Sequence, residues 1–163
     1  MQFNKSLMTA ALLTIVGFAA MSANAATTDT FDITLTVASA CDITAGSATD
    51  IDLGTADNTA KTGTNAIEVF CSTGVPYQLA LVPSNADTTG SGILSGPGTD
   101  ITYQLSKTDG GAVWGSANAD NTLSSTGIGA FTAQSHGVTV TTTSTTDVAP
   151  GDYVDTVTIN LVL

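Results

Sequence analysis

Two cysteines, one histidine and a surplus of carboxylates are the side chains here that could do chemistry. Cys41 and Cys71 are the only cysteines and His136 the only histidine. Two thiols and one imidazole fall short of a structural zinc set. In an oxidising compartment such a pair forms a disulfide, and closing a loop of this size stabilises a fold by roughly 3–4 kcal/mol. His136 sits in Gln134-Ser135-His136-Gly137, with no nucleophile elbow nearby. Carboxylates such as Asp32, Glu68 and Asp155 fall at turns or at outward positions of alternating runs, where a solvated face explains them better than a glycosidase pair. Asp50-Ile51-Asp52 and Asn118-Ala119-Asp120-Asn121 offer oxygen ligands, but without EF-hand spacing; turn chemistry accounts for both. Phosphate-cradling glycine motifs are missing. The expectation is a chain with no catalytic residues, no metal and no cofactor. Trp114, the single tryptophan, reads as a core or interface residue, with a carbohydrate-stacking platform as the alternative.

The elements that position these groups begin after a leader. Lys5, an apolar stretch from Leu7 to Met21 and Ala23-Asn24-Ala25 follow the order of a secretory signal peptide and its cleavage site. The apolar stretch is short for a membrane span, so the mature chain is not expected to be membrane-embedded. Residues 26–163 are one domain's length of chain. All fourteen acids lie there, against Lys61 and Lys107 and no arginine, a net charge of −12. Nucleic acid is excluded as a partner, because phosphate binding needs clustered cations; anionic lipid is excluded for the same reason.

Composition then points to strands. Threonine is the commonest residue, while lysine, arginine and glutamate are scarce, which suits a pleated surface better than solvent-facing helices. Period-two runs, bounded by turn formers, span Phe31–Val37, Ile51–Leu53, Ala66–Cys71, Tyr77–Val82, Ile101–Leu105 and Tyr153–Leu163, with weaker runs at Gly127–Ala133 and Gly137–Thr143. The glycine-rich stretch Ser84–Asp100 reads as a long surface loop. Short strands at such spacing predict a sandwich or barrel.

One run lacks an obvious place. Phe31, Ile33, Leu35 and Val37 line one face of a strand just ahead of Cys41, with Asp32, Thr34 and Thr36 on the other. An apolar strand face must be covered. Either this is the first strand of the domain's own sheet, or it is a donor strand that adds to the sheet of another molecule; alternation alone leaves both open.

The order of the motifs resembles the spore coat protein U-like domain of archaic chaperone–usher pilus subunits. The alternating strand leads to Cys41-Asp42-Ile43. Ile51-Asp52-Leu53-Gly54 is similar to the family's short Leu-Gly segment. Val69-Phe70-Cys71-Ser72-Thr73-Gly74 with Tyr77-Gln78-Leu79 resembles its second-cysteine motif. Ile101-Thr102-Tyr103-Gln104-Leu105, Trp114-Gly115 and the closing Gly151-Asp152-Tyr153-Val154-Asp155-Thr156-Val157 follow in the family's order. The family's aromatic-Gly-Arg stretch is represented by Val138-Thr139-Val140-Thr141, without arginine.

The resemblance implies an all-β fold: an incomplete immunoglobulin-like sandwich lacking its last strand. It implies residues 1–25 as signal peptide, 26–38 as an N-terminal donor-strand extension and 39–163 as the pilin domain. Phe31, Ile33, Leu35 and Val37 would be the donor side chains. Val157, Ile159, Leu161 and Leu163, on a last run with no further strand after it, would border the groove and contact a chaperone. The implied partners are other pilin subunits, a periplasmic chaperone and an outer-membrane usher. The implied role is a non-enzymatic subunit of a surface pilus, exported through the periplasm and polymerising by donor-strand exchange, in support of adhesion and biofilm formation. A carbohydrate-binding adhesin using Trp114 and the 84–100 loop, or a secreted coat protein, are the alternatives.

Overall fold

The computed structural model describes residues 29–44, 50–143 and 148–163. The predicted leader and its cleavage site lie outside them. The chain divides into two units, one ending at Thr36 and one running from Val37 to Leu163. In the first, residues 29–36 have no strand assignment.

The second unit is built from β1 (Cys41–Thr44), β2 (Thr62–Cys71), β3 (Pro76–Pro83), β4 (Ser91–Leu94), β5 (Ile101–Lys107), β6 (Leu123–Thr126), β7 (Gln134–Thr142) and β8 (Val157–Val162). One sheet has the order β1-β2-β7-β5-β4 and the other β6-β3-β8; every pairing is antiparallel. The expected all-β, two-sheet architecture is the one found.

Alternation decides which side chains meet. Ile67, Val69 and Cys71 of β2, Tyr103 and Leu105 of β5, and Val138 and Val140 of β7 turn inward from the larger sheet. Tyr77, Leu79 and Leu81 of β3 turn inward from the smaller, and all ten are buried in one core with Trp114. Every second residue is buried because Cβ atoms alternate across a strand. Trp114 is wholly buried, and its indole N–H donates to the Leu79 carbonyl at 3.1 Å. That placement removes it as a sugar-stacking platform. The next residue must be glycine, since a Cβ at Gly115 would collide with the Thr88 carbonyl.

Three expectations need correction. Ser84–Asp100 is not a loop throughout, because it contains β4, held to β5 with Gly92 opposite Tyr103. The turn before β4 is fixed by the Asp87 carboxylate, which accepts the backbone N–H groups of Thr89 at 2.7 Å and Ser91 at 3.1 Å. Gly127–Ala133 is not a strand. Its backbone is tied to the β2–β3 turn, with Gly129 N–H donating to Cys71 O at 2.9 Å and Gly127 O accepting from Gly74 N–H. Ile51–Leu53 joins no ladder, although both apolar side chains pack on the core.

Cys41 stands opposite Cys71 in the β1–β2 register, and the two form the expected disulfide. β1 is a four-residue edge strand, so the bridge anchors an element that its own ladder holds weakly. Replacing both cysteines by alanine should lower the unfolding free energy by about 3–4 kcal/mol. Urea unfolding followed by the fluorescence of buried Trp114 measures this; a loss below about 1 kcal/mol would show that β1 does not depend on the bridge.

Candidate functional site

Strand β8 places its side chains by the same two-residue period. Val157, Ile159 and Leu161 are half-buried on one face, and Thr158, Asn160 and Val162 are exposed on the other. On one side β8 pairs with β3 over six residues, from Gln78↔Val162 to Pro83↔Val157. On its other side no strand stands among the described residues. A row of ladder donors and acceptors is therefore left beside an apolar face.

That edge borders an opening between the sheets. A cleft of about 1030 Å³ is lined by Ile51, Leu53, Leu105, Val140, Val157 and Ile159, among others. A two-sheet core normally closes over such side chains at crystal-like density. Here the core is deep at Trp114, Leu79 and Leu81 and open along β8.

The structure brings Val157, Ile159 and Leu161 together on the cleft side. Leu163 lies past the end of β8 and is 63% exposed. Phe31, Ile33, Leu35 and Val37 belong to neither sheet and are 80–88% exposed. Four large apolar side chains at alternate positions are thus uncovered, in the same chain that leaves an apolar cleft open.

One polar tie at the cleft was not legible beforehand. Tyr103, buried on β5, reaches across β4 because Gly92 opposite has no side chain; a Cβ there would strike the phenol ring. Its hydroxyl donates to the Asp155 carboxylate just before β8. Asp155 is therefore not a solvated turn residue, as its outward position implied. Burial alone would push its pKa up. Hydrogen bonds from Ser84, Tyr103 and the Thr156 backbone outweigh that and hold it below the ordinary carboxylate value. Burial, then the hydrogen bond to Asp155, pushes the Tyr103 phenol far up. The pair ties the larger sheet to the start of β8. A signal did exist: Tyr103 and Asp155 both fall in segments carrying the family resemblance.

His136 has no catalytic surroundings. Its Nε2 lies 2.7 Å from the Tyr77 hydroxyl, and burial lowers its pKa, which suits a neutral ring bridging β7 to β3. Asp52 accepts the Gly54 N–H at 2.7 Å, and Asn118 accepts those of Asp120 and Asn121 at 2.9 and 3.2 Å. Both former cation candidates are thus turn caps.

Because the folded-state pKa of Asp155 is depressed, its stabilisation is present above the unfolded carboxylate pKa and fades as pH falls through the folded one. Tyr103→Phe should cost about 1–2 kcal/mol near neutral pH, with the gap from wild type shrinking in strong acid. Urea unfolding across pH measures it; a pH-independent gap would mean that the ionised Asp155 is not the phenol's effective partner.

The comparisons accord with this geometry. One chain of the crystallised CsuC–CsuE chaperone–tip adhesion subunit pre-assembly complex, from archaic chaperone–usher Csu pili of Acinetobacter baumannii, shares the fold. The TM-score is 0.51 and the sequence identity 24%, over 77% of this chain and 40% of that one. This chain therefore spans less than half of that neighbour's length. Among curated proteins no relative matches. The family model for the Spore Coat Protein U domain matches residues 27–160, nearly all of the chain beyond the predicted leader. The chain belongs to the spore coat protein U domain family, and it is a structural, non-enzymatic protein.

Proposed function

We propose that this protein is a structural subunit of a surface pilus, exported through the periplasm and polymerised by donor-strand exchange. The observation that carries the reading is the match between an open cleft and an uncovered segment of alternating apolar residues in one chain. The cleft borders the unpaired edge of β8, and Phe31, Ile33, Leu35 and Val37 are exposed at period two. Inserted beside β8 of a neighbouring copy, residues 31–37 would supply the ladder bonds that β8 lacks and fill the cleft with alternate side chains. That is strand addition to an exposed sheet edge. Burying each such side chain is worth about 1.5–3 kcal/mol.

The likeness to a subunit crystallised with its chaperone supports a periplasmic chaperone as the cleft's first occupant, with Val157, Ile159, Leu161 and Leu163 as its contacts, and an outer-membrane usher as the site of exchange. The same likeness, to a tip adhesion subunit, supports adhesion and biofilm formation as the fibre's task. No helix among the described residues is long and apolar enough to cross a membrane, and both lysines of residues 26–163 are engaged: Lys61 with Asp57 at 2.9 Å, Lys107 with the Thr122 carbonyl at 2.7 Å. An anionic surface of that kind fits neither nucleic acid nor acidic lipid.

The test is to produce residues 26–163 alone and with residues 27–38 repeated after Leu163 through a short flexible linker. The fused form should be monomeric and melt at least ~10 °C higher, the shift that about 3 kcal/mol gives a domain of this size. The unfused form should polymerise or aggregate. If both are equally monomeric and heat-stable, the donor-strand reading fails.

A further inference from the structure

Beyond the cleft, a second apolar surface is uncovered. Phe131 is fully exposed and Ile128 is 53% exposed. They flank and occupy the Gly129–Thr132 turn, closed by the Thr132 N–H to Gly129 O bond at 3.0 Å. Isolated apolar side chains on a surface are ordinary, but a phenylalanine held out on a hydrogen-bonded turn is not placed there by the core.

The position of this turn names its occupant. Gly129 N–H donates to Cys71 O, and Ser72 N–H donates to Ala40 O, each at 2.9 Å. Ala40 N–H in turn donates to the Ser72 hydroxyl at 3.2 Å. The turn therefore sits at the pole of the sandwich from which the donor segment departs. If Val37 is the last inserted side chain, only Ala38 and Ser39 separate it from pinned Ala40. Three Cα–Cα steps reach at most ~11 Å. This pole cannot stand far from the cleft it feeds.

The opposite pole carries the other half of the contact. The cleft is lined there by residues around 50–56 and 148–156. Val154 is 69% exposed, fixed by its two-way backbone bridge to Ser95; Pro97 and Pro150 beside it are exposed as well. A donor strand antiparallel to β8 brings its Val37 end to the Val157 end of β8, at this pole. A parallel one would crowd the arriving subunit onto the pole from which the recipient's own extension departs. Head-to-tail contacts that do not close give an open filament.

We propose that Ile128 and Phe131 of each subunit dock on the Val154 pole of the copy that accepts its donor strand, a second contact that fixes the angle between successive subunits. This rests on the donor-strand reading. The contacting side chains Ile128, Phe131 and Val154 are apolar, and the carboxylates next to Val154 in the chain, Asp152 and Asp155, must stay at the rim of the contact, where water and salt screen them from the acidic neighbour.

The test uses full-length chain secreted with its own chaperone and usher, and fibres sheared from the cells. Wild-type fibres should give an SDS-stable ladder without heating, which reports donor-strand exchange alone. Ile128→Ser/Phe131→Ser fibres should keep that ladder but lose the regular axial repeat in electron micrographs. Phe131→Cys/Val154→Cys fibres should give multimers that survive boiling without reductant, whereas neither single-cysteine variant should pass the dimer. An unchanged repeat in the serine variant, with no boiled multimers from the cysteine pair, overturns the proposal. So does a serine variant whose fibres keep their repeat but attach less well to surfaces, since the turn would then face outward. Absence of the ladder in wild type overturns the donor-strand reading beneath it.

Discussion

An apolar sheet edge in water is the constraint on which the rest depends. β8 has a half-buried inner face and no strand on its far side among the described residues. Its open ladder groups lose nothing while water reaches them, but its inner side chains do. Covering both at once takes an extended segment with apolar residues at every second position, because only that geometry satisfies backbone and side chains together. A helix or a loop would satisfy one and leave the other. The chemistry of the cleft thus selects the shape of its occupant before any particular partner is considered.

The sandwich must survive with that cleft open, and the distribution of its core shows how. The wholly buried side chains, among them Trp114, Leu79, Leu81, Leu105 and Val69, lie on β2, β3 and β5 and beside them, and some of them, such as Leu81 and Leu105, form the floor of the cleft. At the margins, single ties do what packing does elsewhere. The disulfide fastens β1, the Tyr103–Asp155 bond fastens the start of β8, and Tyr77–His136 joins the sheets between them. Tyr153 adds a further brace, its ring laid over Gly96 and Gly98 and its hydroxyl on the Ala149 carbonyl. The Tyr103–Asp155 bond, directional and between residues that line the cleft, fixes its width there in a way that apolar contacts alone would not.

The sequence made strands legible where alternation runs long enough to outweigh chance. β2, β3, β5, β7 and β8 fall within or around the runs at Ala66–Cys71, Tyr77–Val82, Ile101–Leu105, Gly137–Thr143 and Tyr153–Leu163. β1, β4 and β6 have four residues each, too few for a period to show. β4 was further masked because Gly92 is there to admit the Tyr103 ring, and a glycine reads locally as a loop. In Gly127–Ala133 the apolar Ile128 and Phe131 imitated a strand, but the segment's backbone bonds go to the β2–β3 turn, a partner that local sequence does not reveal. The disulfide was legible from a lone cysteine pair behind a predicted export leader, since an oxidising compartment pairs such thiols. The Tyr103–Asp155 tie was not, since it joins residues fifty-two apart through a register that only the assembled sheets define.

Charge bears on assembly as well as on solubility. Residues 26–163 carry −12 with Lys61 and Lys107 both engaged, so copies of that stretch repel one another over a Debye length of ~8 Å at physiological salt. That repulsion opposes random association, yet it would also act between neighbours in a fibre. The proposed donor strand would offset it, because its attraction would be spread over a buried apolar face, where added salt weakens the repulsion without weakening the contact. The segment's own charge follows the same logic: the single acid of residues 31–37, Asp32, alternates with Phe31 and Ile33 and would stay in water if an extended segment buried them. Cohesion between such acidic copies would have to come from contacts that exclude water, and the exposed apolar side chains that could make them lie at residues 31–37, at Ile128 and Phe131, and at Val154.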